Sequence, residues 1–193
     1  VCSSDLILTG FLRGTFARRS PLTMSCSVTF EQSYGGVDGD SASSTEIYAI
    51  LSAISGLALR QDIAVTGSVD QYGLVQAIGG VNEKIEGFFR VCNGSKLTGS
   101  QGVMIPKSNV KDLQLSGEVV AAVDDGLFHV WAVDSVSDGI ELLTGRPAGV
   151  WSKKEKWSDG SIFAACQERL DDMVRLMKKA AKSTDKNVGT KTE

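Results

Sequence analysis

Apolar and polar positions alternate over short stretches of this chain and recur at helical spacing over longer ones. Residues 6–8 and 25–30 run apolar or alternate and predict two strands, separated by an arginine-containing turn region between Arg13 and Pro21. The next stretch, Gln32-Ser33-Tyr34-Gly35-Gly36-Val37-Asp38-Gly39-Asp40, mixes glycines with acids and predicts irregular backbone. The period then turns helical. Ile47, Ile50, Leu51, Ile54, Leu57 and Ala58 fall on one face, and Ser43-x-x-Glu46 has the form of a capping box.

Residues 62–69 are rich in β-branched side chains and predict one strand, followed by the glycine turn Ala77-Ile78-Gly79-Gly80 and a helix over 81–91. A short strand over 102–105 is closed by Pro106, and a stretch from Asp112 leads through 119–123 to a strand around Val130. Residues 136–143 predict a helix closed by Gly145. After a polar turn at 152–156, Ile162, Phe163, Cys166, Leu170, Met173, Val174 and Met177 keep the spacing of a final amphipathic helix. Residues 182–193 are poor in hydrophobic side chains and read as a frayed tail. No internal repeat occurs, and strands interleaved with helices predict an α/β or α+β fold.

Composition narrows the function. With 193 residues, 42% hydrophobic and only three prolines, the chain reads as one globular domain. Twenty basic against 23 acidic residues give a net charge of -3, which supplies no general attraction to nucleic acid or an anionic membrane. Lys178, Lys179 and Lys182 read as a solvated helix end rather than a nucleic-acid contact. Cys2, Cys26, Cys92 and Cys166 stand singly, which argues against a zinc site or a disulfide scaffold and suits a reducing cytoplasm. No apolar run is long enough to span a membrane. The first residue is Val1, and the chain reads as part of something longer.

A Ser-His-Asp or Cys-His enzyme would have to use the single histidine, His129, which sits in an apolar stretch and reads as structural. No P-loop, G-x-G-x-x-G, H-E-x-x-H or G-x-S-x-G signature occurs. What remains is Ser41, which follows the glycine-rich acidic loop at the threshold of a helix, where free N–H groups gather. It reads as a nucleophile or as a helix cap. Without histidine its base would be a lysine, and Lys84 shares a helical face with Val81, Ile85, Phe88 and Cys92. Helical spacing leaves two readings, an inward, desolvated amine or a snorkelling side chain whose amine reaches water.

The motifs Val37-Asp38-Gly39-Asp40-Ser41-Ala42-Ser43, Val65-Thr66-Gly67-Ser68-Val69 and Gly73-Leu74-Val75-Gln76-Ala77-Ile78-Gly79-Gly80-Val81-Asn82-Glu83-Lys84 closely resemble the proteolytic domain of Lon proteases, in the G-D-S-A-S form of the B-type branch. Val103-Met104-Ile105-Pro106, Asp112-Leu113 and the helix ending Leu142-Leu143-Thr144-Gly145 extend the match. The resemblance implies a compact Lon-type α/β (α+β) domain, similar to ribosomal protein S5 domain 2. It would occupy residues 22–182, behind an N-terminal extension over 1–21 and ahead of a tail over 183–193.

The resemblance also implies a serine endopeptidase that cuts unfolded or damaged polypeptides with a Ser41–Lys84 dyad. Thr66 would hold the lysine amine. Asp38 and Asp40 match acids of the B-type loop, and read either as solvated turn residues or as partners that keep Lys84 charged and idle. Neither a metal nor a cofactor is expected in this chain, since ATP and magnesium belong to an AAA+ segment that is absent here. A homo-oligomeric, six-fold ring is implied by the family. A non-catalytic oligomerisation or binding module on the same fold is the alternative.

Overall fold

The computed structural model describes residues 3–29 and 40–188. Its centre is a parallel three-stranded sheet of β1 (Ile63–Val65), β4 (Gly102–Pro106) and β5 (His129–Val133), with β4 in the middle. All five residues of β4 are buried, the pattern of a strand covered on both faces. A short antiparallel pair, β2 (Ser68–Val69) and β3 (Val75–Gln76), stands beside it. The α/β fold is thus as expected.

Alternation along β4 sorts the core into two halves. Met104 points into a cluster with Ile47, Leu51 and Ile140, built by helices α1 (Ser3–Phe16), α2 (Ser43–Ser55), α5 (Val136–Thr144) and α6 (Ile162–Val188). Val103 and Ile105 point the other way, to Ile85, Phe89 and Phe128 beneath α3 (Val81–Gly94) and α4 (Gly117–Asp124). At one corner Trp151 and Trp157 bridge around the turn at 152–156, and the Trp157 ring packs at a steep angle against Phe16 of α1 and edge-to-face with Phe163 of α6. Arg18 lies 4.7 Å above the Trp151 ring. No described helix is long and apolar enough to cross a membrane.

Several predicted elements differ. Residues 6–8 are helical rather than a strand, because Leu8, Phe11, Leu12 and Phe16 form one buried face and a three-residue apolar run is ambiguous by itself. Residues 21–29 belong to no strand; Leu22 and Met24 pack on the core, and cavities of about 360 Å³ flank the segment against α2. The strand predicted over 62–69 breaks after Val65 into β1 and β2. The helix beginning at Ser43 ends at Ser55, where Gly56 takes a left-handed φ of 71°, so Leu57 and Ala58 lie outside it.

Ser43 is not the cap of α2. That position is Ala42, without a side-chain cap, while the Ser43 hydroxyl donates to the Asp40 carbonyl and accepts from Val69 N–H, both at 2.9 Å. A true capping box opens α5, between Ser135 and Asp138. Helix α6 runs to Val188, into the stretch expected as a tail, and beyond Val174 it leaves the body, with Met177 exposed.

Helices α2 and α5 approach where Gly139 faces Tyr48. A β-carbon at Gly139 would collide with the Tyr48 hydroxyl, itself fully buried. Gly139→Ala is therefore expected to lower unfolding free energy by about 1–3 kcal/mol, read as a lower urea midpoint with unchanged slope.

Candidate active site

The candidate residues meet at the carboxyl edge of the parallel sheet, where open α/β sheets place their ligand crevices. Thr66 follows β1 directly, and its N–H still donates to Met104 of β4, at 3.1 Å. Gly67 then turns the chain away, its N–H donating to the Ser41 carbonyl at 3.0 Å while its own carbonyl accepts from Ser44 N–H at 3.2 Å. The 3-10 turn Asp40–Ala42 is thereby paired against the break between β1 and β2.

Gly67 is needed for this contact. A β-carbon there would lie 2.9 Å from Val75 Cγ1 and 3.2 Å from Ser44 Oγ. Sequence reasoning gave Gly67 no role of its own, although a glycine inside a β-branched run signals a bulge or a close backbone approach.

Lys84 sits in the first turns of α3, whose buried face is Val81, Ile85, Phe89 and Cys92. The inward, desolvated reading of Lys84 is corrected. Its side chain is exposed, because position 84 falls at the edge of that buried stripe, and the amine reaches over to donate to Thr66 Oγ1 at 3.2 Å. Thr66 is 7% exposed, and its hydroxyl is 3.5 Å from the Ser41 carbonyl, to which it donates.

Ser41 and Lys84 line one open pocket of about 450 Å³, together with Asp40, Ser68, Gln76 and Ile78. They are linked through Thr66 rather than by a hydrogen bond to each other. Ser41 is half-buried and is not the helix cap. Asp40 is exposed on the rim, and Asp38 lies outside the described residues.

His129 stands at the opposite, amino end of the sheet. Its register partner is Gly102, its ring nitrogen Nε2 is 2.9 Å from the Gly99 carbonyl, and its ring is 5.1 Å from that of Trp131. It is too far along the strands to serve Ser41. Cys92 and Cys166 are buried in the two cores, and burial pushes the Cys166 thiol up to about 12. Among the described residues no three metal-ligating side chains converge.

A serine on a turn at the carboxyl edge of a parallel sheet, with a lysine and a threonine beside it, defines an α/β domain with a hydroxyl and an amine in one cleft. The chain belongs to the Lon protease (S16) family, whose C-terminal proteolytic domain matches residues 32–144. It is 51% identical over 165 residues to a Lon protease homolog of Escherichia coli (strain K12), a match that covers 86% of this chain and 27% of that protein. The Haemophilus influenzae homolog is 50% identical over 79% of this chain and 25% of its own length. An archaeal Lon protease of Methanocaldococcus jannaschii is 46% identical over 45% of this chain and 12% of its own. The chain spans about a quarter of the length of the two bacterial relatives.

Gly67→Ala is expected to cost about 1–3 kcal/mol, because the new methyl must displace Val75 or open the Ser41–Gly67 contact. Chemical denaturation measures the loss, and a melting curve that coincides with the parent's would show the contact to be looser than described.

Proposed function

We propose that this chain is the peptidase part of a longer Lon-type enzyme, with Ser41 as nucleophile and Lys84 as base. The observation that carries the proposal is the Lys84 amine held on Thr66 Oγ1 in the pocket that also contains Ser41. In the reaction, Ser41 Oγ attacks the peptide carbonyl carbon and its proton passes to Lys84 Nζ. The tetrahedral intermediate collapses as Lys84 returns that proton to the leaving amine. Water then attacks the acyl carbon and gives a proton to Lys84, which passes it to Ser41 Oγ as the ester bond breaks, so that the acid product leaves and serine and amine are both regenerated.

An amine acts as a base only once it has lost its proton, a state favoured by removal of water. Since Lys84 is exposed in the free chain, we assign the water removal to the substrate strand that fills the pocket. Ser44 N–H is already spent on Gly67, so the oxyanion would be received by N–H groups earlier in the turn. Asp40, on the rim of the pocket, is one of the two acids proposed to modulate the amine.

The same reading makes unfolded polypeptide the substrate, places an AAA+ motor elsewhere in the whole protein, and assembles copies of the chain into a ring. The cytoplasm suits it, because solitary thiols such as Cys26 stay reduced there.

Ser41→Ala is expected to abolish peptide hydrolysis while changing stability by only about 0.5 kcal/mol. Lys84→Arg should be equally inactive, because a guanidinium with a pKa above about 12 keeps its proton near neutrality. Hydrolysis of an unfolded polypeptide and thermal melting test both. A parent chain that cuts nothing and is not acylated at Ser41 would leave the non-catalytic module as the function.

The isolated chain is expected to cut loosely structured polypeptides but not a stable two-state domain, and ATP with magnesium should not change either rate. A peptidase without a motor acts only on the open fraction of its substrate. Nucleotide-stimulated cleavage of the folded domain by the purified chain would overturn this prediction.

A further inference from the structure

We propose that Asn109 is the positioning residue that sets the Lys84 amine against Thr66; the inference rests on the Ser41–Lys84 reading above. Asn109 lies in the 3-10 turn Lys107–Asp112 that follows β4, and the residue is 3% exposed. Its amide grips a single residue on both sides: Oδ1 accepts from Ile78 N–H at 2.9 Å and Nδ2 donates to the Ile78 carbonyl at 3.0 Å. The second Nδ2 hydrogen is directed to Asp112 Oδ2, at 3.3 Å. A side-chain amide thus does for Ile78 what a neighbouring strand would do.

This clamp sits where α3 has no side-chain cap, just ahead of its first residue. The helix begins from Gly80 at a left-handed φ of 68° with no side-chain cap, and its first hydrogen bond here joins Lys84 N–H to the Gly80 carbonyl at 3.1 Å. Two residues before Gly80, Ile78 lines the pocket. Both halves of the Lys84–Thr66 contact therefore trace to β4. Thr66 is tied to it through Met104, and Lys84 through Asn109, Ile78 and the start of α3. If Asn109 lets go, the helix start can shift against Thr66, and an error near 1 Å at such a contact is worth roughly 100-fold in rate.

Two other side chains of α3 reach the segment after Asn109, and the one farther along the helix, Glu86, provides a control. Asn82 bonds Asp112 and Gln114 from the exposed side, and Glu86 accepts from Ser116 N–H at 2.9 Å. Glu86 lies beyond Lys84, so its bond stabilises the helix without fixing how α3 begins.

The test measures acylation of Ser41 in the 193-residue chain by a peptidyl p-nitrophenyl ester, which transfers its acyl group to Ser41 Oγ and releases nitrophenolate. Rates are taken for the parent, Asn109→Ala, Lys84→Ala, the double variant and Glu86→Ala, with melting curves for each. The expected result is a roughly 10- to 100-fold loss for Asn109→Ala and no further loss when it is added to Lys84→Ala. Glu86→Ala should melt lower yet acylate at the parent rate. A purely structural Asn109 would instead subtract the same factor in both backgrounds, which overturns the proposal, as does a folded Asn109→Ala with the parent rate. Parent-like acylation of Lys84→Ala sinks the dyad itself, a separate failure. Should Asn109→Ala not fold, the similarly shaped Asn109→Asp, which keeps an acceptor for Ile78 N–H and loses the donor, takes its place. Hydrogen exchange of the parent needs no variant at all: an Ile78 amide exchanging as fast as an open loop rejects the clamp.

Discussion

The Ser41 carbonyl accepts the N–H of Gly67 at 3.0 Å, and the placement of the site follows from that contact. A strand that continued from β1 would direct the N–H of Gly67 along the sheet. Instead the chain leaves the sheet after Thr66, and Ser44 returns a second bond to the Gly67 carbonyl. Each such bond is worth only about 1 kcal/mol net. Their effect is geometric, because the contact depends on a glycine with Val75 and Ser44 close against it. The start of α2 is thereby fixed at the carboxyl edge of the sheet, with the serine on its approach.

Thr66 then has two tasks that a hydroxyl can combine. As an acceptor it holds the Lys84 amine, and as a donor it leans toward the Ser41 carbonyl. Valine would have the same shape and neither function. The hydroxyl is buried while the amine it holds is exposed, so the contact spans the boundary between core and water. That arrangement keeps a lysine in reach of a serine without the cost of burying a free ammonium in the resting chain.

Elements whose pattern repeats several times were readable from sequence. Helix α3 carries four buried positions at helical spacing, and α5 ends at Gly145 with a φ of 68°, as its glycine foretold. The placing of Ser41 and Lys84 on one pocket, with Thr66 bonded between them, was readable only through the motif resemblance. Periodicity could not supply it, since the three residues lie on different elements. What sequence misread has local causes. Residues 6–8 are too few to separate strand from helix. Lys84 stands at the edge of an apolar face, where one position decides between burial and water. Ser43 had the capping-box pattern but found a tertiary partner, Val69, that outcompetes the local one. Asn109 carries no periodic signal, because its importance lies in a backbone 31 positions away.

The site is assembled from two cores on opposite faces of one sheet. Ser41 and Thr66 are carried by elements of the α2 side, whose cluster includes Ile47, Leu51 and Met104. Lys84 and Ile78 are carried by the α3 side, whose cluster includes Ile85, Val103 and Ile105. All three strands send alternate side chains to both, and β4, buried along its whole length, lies between the other two. Close-packed interiors transmit displacement rather than absorb it, so a change of volume in either cluster moves one partner of the Lys84–Thr66 contact relative to the other. The full burial of β4, which no single helix requires, therefore bears on the proposed chemistry as well as on stability. It makes one rigid strand the common reference from which serine, threonine and lysine are all placed.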